Sequence, residues 1–168
     1  MPARSVIEAT TLADFTDVCL IEPSLMGCDP ASVIQELGRR LKQAARVPDG
    51  LQFYHAALNR EFLVSTATEN GIAFPHARLA GLDRLSFAFG RTDHPVPWGG
   101  RNTVPVRFVI LTAVPATDAT GYLSLLSAMA RLGREHQMLD RLNAAGDAEE
   151  LLSLLGSVKL RAGATFRA

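Results

Sequence analysis

Apolar positions along the chain recur with two periods, one helical and one extended, and their order sketches the architecture. From Ala31 to Ala45, Val33, Ile34, Leu37, Leu41 and Ala44 fall at helical spacing. Arg39, Arg40, Lys42 and Gln43 lie largely off that stripe, so this is an amphipathic helix seated on a core. Asp29-Pro30 opens it, the Asp as N-cap and the proline at the first helical position, where a missing N–H costs nothing. Pro48-Asp49-Gly50 breaks the chain and starts a second helix through about Glu61, with Phe53, Ala57 and Leu58 as its apolar side. Tyr122, Leu125, Leu126, Met129 and Leu132 predict a third helix, stopped by Gly133. A fourth runs from about Glu135 to Ala144, and a fifth from Ala148 to Leu155 between the Asp147 cap and Gly156.

The extended period appears between the helices. Leu85, Phe87 and Phe89 alternate with small residues up to Gly90, which predicts a strand with one heavily packed face. Val106 to Thr112 is β-branched and mostly apolar, as a central strand should be, and Val114-Pro115 closes it. Arg91 to Pro105 holds three prolines and two adjacent glycines, so a long loop is expected, with a short extended piece near Val96. Thr11 to Phe15 reads as a helical turn and Val18 to Ile21 as a short strand ended by Pro23. Helices before, between and after a few short strands indicate one α/β domain over residues 1–168, whose small polar tail from Arg161 is expected to be flexible.

One stretch concentrates the candidate chemistry. Asn70-Gly71 is a turn signal, Ile72 to Phe74 a short apolar run, and Pro75-His76 follows at once. The reading is a turn, a short strand, and a histidine at the strand's end, where the chain leaves the sheet. Pro75 fixes its own φ and biases Phe74 towards extended backbone, so the histidine stands on a stiff stem.

Composition narrows the function. Lys+Arg and Asp+Glu each total 17 in 168 residues, so the net charge is zero and the chain carries no global basic field. A nucleic-acid partner is not expected. No run approaches the roughly 18 apolar residues of a spanning helix, and no apolar segment follows Met1-Pro2-Ala3-Arg4-Ser5. A cytoplasmic protein without membrane insertion is the expectation. Cys19 and Cys28 are too few for a disulfide framework and have no metal-ligand pattern beside them. They read as reduced thiols, one of them buried, and no metal or cofactor is expected. His94 reads as a loop residue, and His55 and His136 as solvated or boundary positions on helices. Trp98 reads as packing under its loop.

The string Arg60-Glu61, Ser65-Thr66, then Asn70-Gly71-Ile72-Ala73-Phe74-Pro75-His76-Ala77-Arg78 closely resembles the phosphorylation-site signature of the fructose/mannitol/nitrogen-type enzyme IIA domains. These domains belong to the bacterial phosphoenolpyruvate-dependent phosphotransferase system. Pro30 to Ala45 and Leu51 to Arg60 look like the family's two leading helices. Pro95 to Gly99, Val104 to Val106, Leu111 to Pro115 and Leu123 to Leu132 follow in the family's order, so the resemblance spans about residues 10 to 155. It implies a mixed sheet flanked by helices on both faces. It also implies that His76 accepts a phosphoryl group from a histidine phosphocarrier protein and passes it to a downstream regulatory target or membrane carrier, or keeps it as a signal. Arg60 matches the family arginine beside the active histidine, and a guanidinium fork suits phosphoryl oxygens. Thr66 matches a threonine able to donate a hydrogen bond, and the Asn70-Gly71 turn can offer backbone N–H groups. The expected branch is nitrogen-regulatory. A sugar-transport component is the near alternative, and a binding module without transfer is the other.

Two departures bear on activity. Glu69 stands where the family commonly has glycine, and a carboxylate near the site would repel a phosphoryl group unless Arg60 or Arg78 compensates. Tyr122 stands where many members carry a second histidine; it can donate a hydrogen bond but is no base near neutral pH.

Overall fold

A mixed five-stranded sheet forms the middle layer, with helices on both of its faces, in this computed structural model, which describes residues 11–161. Two 3-10 turns, Leu12–Phe15 and Val18–Leu20, lead into β1 (Ile21–Leu25). Two helices follow, α1 (Pro30–Gln43) and α2 (Gly50–Leu63). The short strands β2 (Ile72–Ala73) and β3 (His76–Leu79) come next, then the long pair β4 (Ser86–Trp98) and β5 (Val104–Pro115). Helices α3 (Ala119–Leu132), α4 (His136–Ala144) and α5 (Ala148–Leu155) close the described chain. The strands lie in the order β1-β4-β5-β2, with β3 also on β5. β4 and β5 are antiparallel; β1 runs parallel to β4, and β2 and β3 run parallel to β5.

The alternation in β4 decides which layer packs where. Phe87 and Phe89 enter a core shared with Leu125, Met129, Leu142 and Leu151 of α3, α4 and α5. Ala88 faces the other way, into a core shared with Val33, Leu37, Phe53 and Ala57 of α1 and α2. Gly90 on that second face leaves room for a side chain of the neighbouring strand: a Cβ there would come within 2.4 Å of Leu25 Cδ1 in β1. Asp29 and Asp147 cap their helices as expected, and Asp49 caps α2. Asp29 accepts from Ser32 N, Asp49 from Gln52 N and Asp147 from Glu150 N, each cap contributing about 1 kcal/mol.

Four expectations need correction. Residues 91–105 are not a long loop: β4 runs on to Trp98 and β5 begins at Val104. The prolines are accommodated because Pro97 faces Pro105, at a ladder position where no N–H is exchanged, and the register shifts between Arg91 and Val96. Pro23 does not end a strand but lies inside β1, whose place at the sheet's edge tolerates a residue without an N–H. Val18–Leu20 is a 3-10 turn rather than the start of that strand. Both cysteines are exposed, Cys19 in the turn that sends Leu20 inward and Cys28 in the link before α1. His55, His94 and His136 are exposed, and Trp98 is fully buried. The readings of Met1–Ser5 and of the tail beyond Arg161 lie outside the described residues. Among the described residues no helix is long and apolar enough to cross a membrane.

Candidate functional site

His76 lies at the junction of β2 and β3, held against β5 from both sides. Gly71 starts this. Its φ of 81° is cheap only for glycine, and its carbonyl accepts from both Arg107 N (2.7 Å) and Phe108 N (3.1 Å). That anchors β2 in register, Ile72 opposite Phe108. Pro75 has no N–H, so the ladder is interrupted, but its carbonyl accepts from Thr112 N at 3.0 Å and keeps the chain in line. The strand therefore resumes as β3, with His76 opposite Thr112. The histidine opens a strand instead of ending one, and the chain stays in the sheet for three more residues.

The imidazole is half-buried, and its Nδ1 lies 3.1 Å from the Phe74 carbonyl oxygen. A carbonyl can only accept, so Nδ1 carries the hydrogen and Nε2 of the neutral ring holds the free lone pair. Burial pushes the His76 pKa below its usual 6.5; the Phe74 carbonyl opposes this, the positive Arg60 adds to it, and Glu61 opposes it. The ring is therefore neutral near pH 7.

Arg60, in the last turn of α2, is half-buried and donates from Nη1 to the Val64 carbonyl at 3.2 Å. That uses one of its five N–H groups. Its charge reaches both His76 and Tyr122. Tyr122, in the first turn of α3, places its ring 5.2 Å from the imidazole, tilted by 39°. Burial raises its pKa and Arg60 opposes that, so it stays a neutral phenol at physiological pH.

Thr66 is placed differently from a phosphoryl donor. Its single hydroxyl hydrogen goes to Glu61 Oε2 at 2.8 Å, and its oxygen accepts from Phe74 N at 2.9 Å. It is part of the scaffold beneath the histidine. Asn70 Nδ2 donates to the Gly133 carbonyl at 2.8 Å, tying the turn to the end of α3, and Gly71 N–H is already spent on Thr68 O. Arg78 is exposed and donates to the Ala116 carbonyl at 2.7 Å. Glu69 is exposed and lines a cleft of about 450 Å³ with Asn70, Pro105, Arg107 and His136; neither His76 nor Arg60 borders it.

Two features were not anticipated. Glu61 is only 5% exposed although charged. The readable signal was its place on the Phe53–Ala57 stripe, four residues further on. Phe62, Leu63 and Val64 beside Arg60, and Leu123 beside Tyr122, are 64–80% exposed. For the first three the signal was an apolar triplet running straight across a helix end. Among the described residues no group of three His, Cys, Asp or Glu side chains could hold a metal ion.

The sequence model of one family, the phosphoenolpyruvate-dependent sugar phosphotransferase system EIIA 2, matches residues 15–158. A nitrogen regulatory protein of Bradyrhizobium diazoefficiens is 30% identical over 135 residues, covering 80% of this chain and 88% of that protein. The 2-O-alpha-mannosyl-D-glycerate-specific EIIABC component of Escherichia coli is 29% identical over 154 residues, 90% of this chain but 23% of that longer protein. Among solved structures, the nitrogen regulatory protein IIA-Ntr of Neisseria meningitidis superposes with a TM-score of 0.74 at 24% identity, covering 86% of this chain and 98% of that one.

Proposed function

The chain belongs to the EIIA 2 family of the phosphoenolpyruvate-dependent sugar phosphotransferase system, and on that premise we propose that it is a phosphohistidine phosphotransfer protein of the nitrogen-regulatory branch. His76 is the acceptor, a histidine phosphocarrier protein the donor, and phosphoenolpyruvate the ultimate source. The observation that carries this reading is the hydrogen bond from His76 Nδ1 to the Phe74 carbonyl, which leaves Nε2 unprotonated in a neutral ring.

The step balances without a base. The Nε2 lone pair attacks phosphorus; an N–P bond forms there as the N–P bond of the carrier's phosphohistidine breaks, and the carrier's ring keeps the electron pair. Nε2 has no proton to lose, so a tyrosine in place of a second histidine does not block the chemistry. As the ring becomes cationic, the Phe74 carbonyl stabilises Nδ1–H, and the free N–H groups of Arg60 receive charge from the three phosphoryl oxygens. Onward transfer is the same exchange in reverse. The Tyr122 ring packs beside the imidazole. Phe62, Leu63, Val64 and Leu123 supply apolar surface that a visiting protein covers in the cytoplasm.

The nitrogen-regulatory assignment is supported by the relative from Bradyrhizobium diazoefficiens, nearly all of whose length is matched. The Escherichia coli EIIABC component supports a sugar-transport role as the second reading, with the membrane carrier as recipient. Phosphoenolpyruvate, enzyme I and phosphocarrier are added to the native protein and to His76→Ala, and acid-labile phosphate is read by mass. The expected result is one phosphoryl group on the native protein and none on the variant. No phosphate on either, with carrier affinity retained, would leave a binding module only.

A further inference from the structure

We infer that Glu61 is the positioning residue of the phosphoryl acceptor: acting through Thr66 and Phe74, its carboxylate holds the His76 ring in the Nδ1–H tautomer. Its relevance to transfer rests on the function proposed above; the tautomer itself does not. A carboxylate 5% exposed at the end of α2 is costly to bury, and no cation is bonded to it among the described residues. It is held instead by three donors. Thr66 N and Trp98 Nε1 each donate to Oε1 at 2.7 Å, and the Thr66 hydroxyl donates to Oε2 at 2.8 Å.

That arrangement propagates in one direction. Because the hydroxyl hydrogen of Thr66 points at Glu61, its oxygen can only accept from the far side, and it accepts from Phe74 N–H at 2.9 Å. Phe74 is thus gripped at its N–H, while Pro75 restricts the rotation that aims its carbonyl. The aimed carbonyl takes Nδ1–H of His76 at 3.1 Å. The fully buried Trp98, at the end of β4, donates to the same carboxylate oxygen as Thr66 N. A buried charge with this many donors is poor value for stability compared with apolar packing. Its consequence at the surface is a ring with one nitrogen tied and the other open.

The geometry also separates two substitutions. In Glu61→Gln the amide oxygen can keep both N–H donors while the amide nitrogen donates to the Thr66 hydroxyl oxygen, so the grip on Phe74 survives. In Glu61→Leu nothing receives them. Thr66→Val breaks the same chain one link later and leaves Glu61 with its Trp98 bond. The ring ¹⁵N shifts of His76 are measured in the native protein and all three variants, together with kcat and KM for phosphorylation by phosphocarrier. The expected result is a single Nδ1–H tautomer in native protein and Glu61→Gln. Glu61→Leu and Thr66→Val are expected to show mixed tautomers, with kcat lowered roughly 10- to 100-fold, KM for the carrier little changed, and Glu61→Gln within about threefold of native. A native-like tautomer and kcat in folded Thr66→Val or Glu61→Leu would overturn the inference. If Glu61→Leu does not fold, Thr66→Val decides alone. If the native protein takes no phosphate, the functional reading fails, and the ¹⁵N shifts still decide whether this chain sets the tautomer.

Discussion

The two walls around His76 are built by different means. On the α2 side Glu61, Thr66, Phe74 and Trp98 form a continuous set of hydrogen bonds, none longer than 3.1 Å, that ends on one ring nitrogen. On the α3 side Tyr122 meets the imidazole ring to ring, at 5.2 Å between centroids, and adds burial rather than direction. Directional bonds fix a tautomer; a tilted aromatic contact fixes only how much water reaches the ring. The comparison accounts for a tyrosine at the position where the family resemblance implies a second histidine: it lies on the wall where chemistry is least exacting.

The largest effect is expected at the cation. Arg60→Ala should lower the rate of phosphoryl transfer by about 10²- to 10³-fold, with Arg60→Lys recovering part, measured as single-turnover transfer from phosphorylated carrier. An unchanged rate would remove the cation from the transfer step. Trp98→Phe takes one donor from Glu61 and leaves space beside it, and is expected to cost about 2 kcal/mol, read as a lower urea midpoint at unchanged slope. The next effect concerns pH. The His76 pKa is depressed, so the folded protein binds this proton less readily than the unfolded chain does, and Nε2 keeps its lone pair as pH falls past 6.5. Transfer should fail only below that pH, and the NMR titration midpoint of the ring should lie below it. Since burial is the main cause, Tyr122→Ala should move the midpoint up. The smallest effect is expected for Tyr122→Phe, within about threefold of the native rate, because the ring remains. A loss like that of Arg60→Ala would erase the distinction between the walls.

Much of this arrangement could be read from local signals. Three of the five helices combine an apolar stripe with a side-chain cap that the chain announces, as Asp29, Asp49 and Asp147 show, while α3 and α4 were legible from the stripe alone, α4 having no side-chain cap bond. The placement of Arg60 at the end of α2 and of His76 on the sheet was legible through the helical stripe and the Pro-His signature. The hairpin of β4 and β5 was not, because proline normally argues against a strand; only the partner strand reveals that Pro97 and Pro105 face each other where no N–H is required. Pro23 misled for a related reason, since nothing local says that β1 lies at an edge. The direction of the Thr66 hydroxyl was invisible because it depends on Glu61 being buried, which depends in turn on Trp98 arriving from β4, 37 residues away. Glu69 looked like a threat to the phosphoryl group only along the chain; in space it faces a different cleft.

The central claim is that one ring nitrogen is tied and the other offered. Protein labelled with ¹⁵N in its histidines, incubated with phosphoenolpyruvate, enzyme I and phosphocarrier, reports which nitrogen takes phosphorus through its one-bond coupling. The expected result is phosphorus on Nε2 of His76, with Nδ1 still protonated. Phosphorus on Nδ1, or on a different histidine, would contradict it.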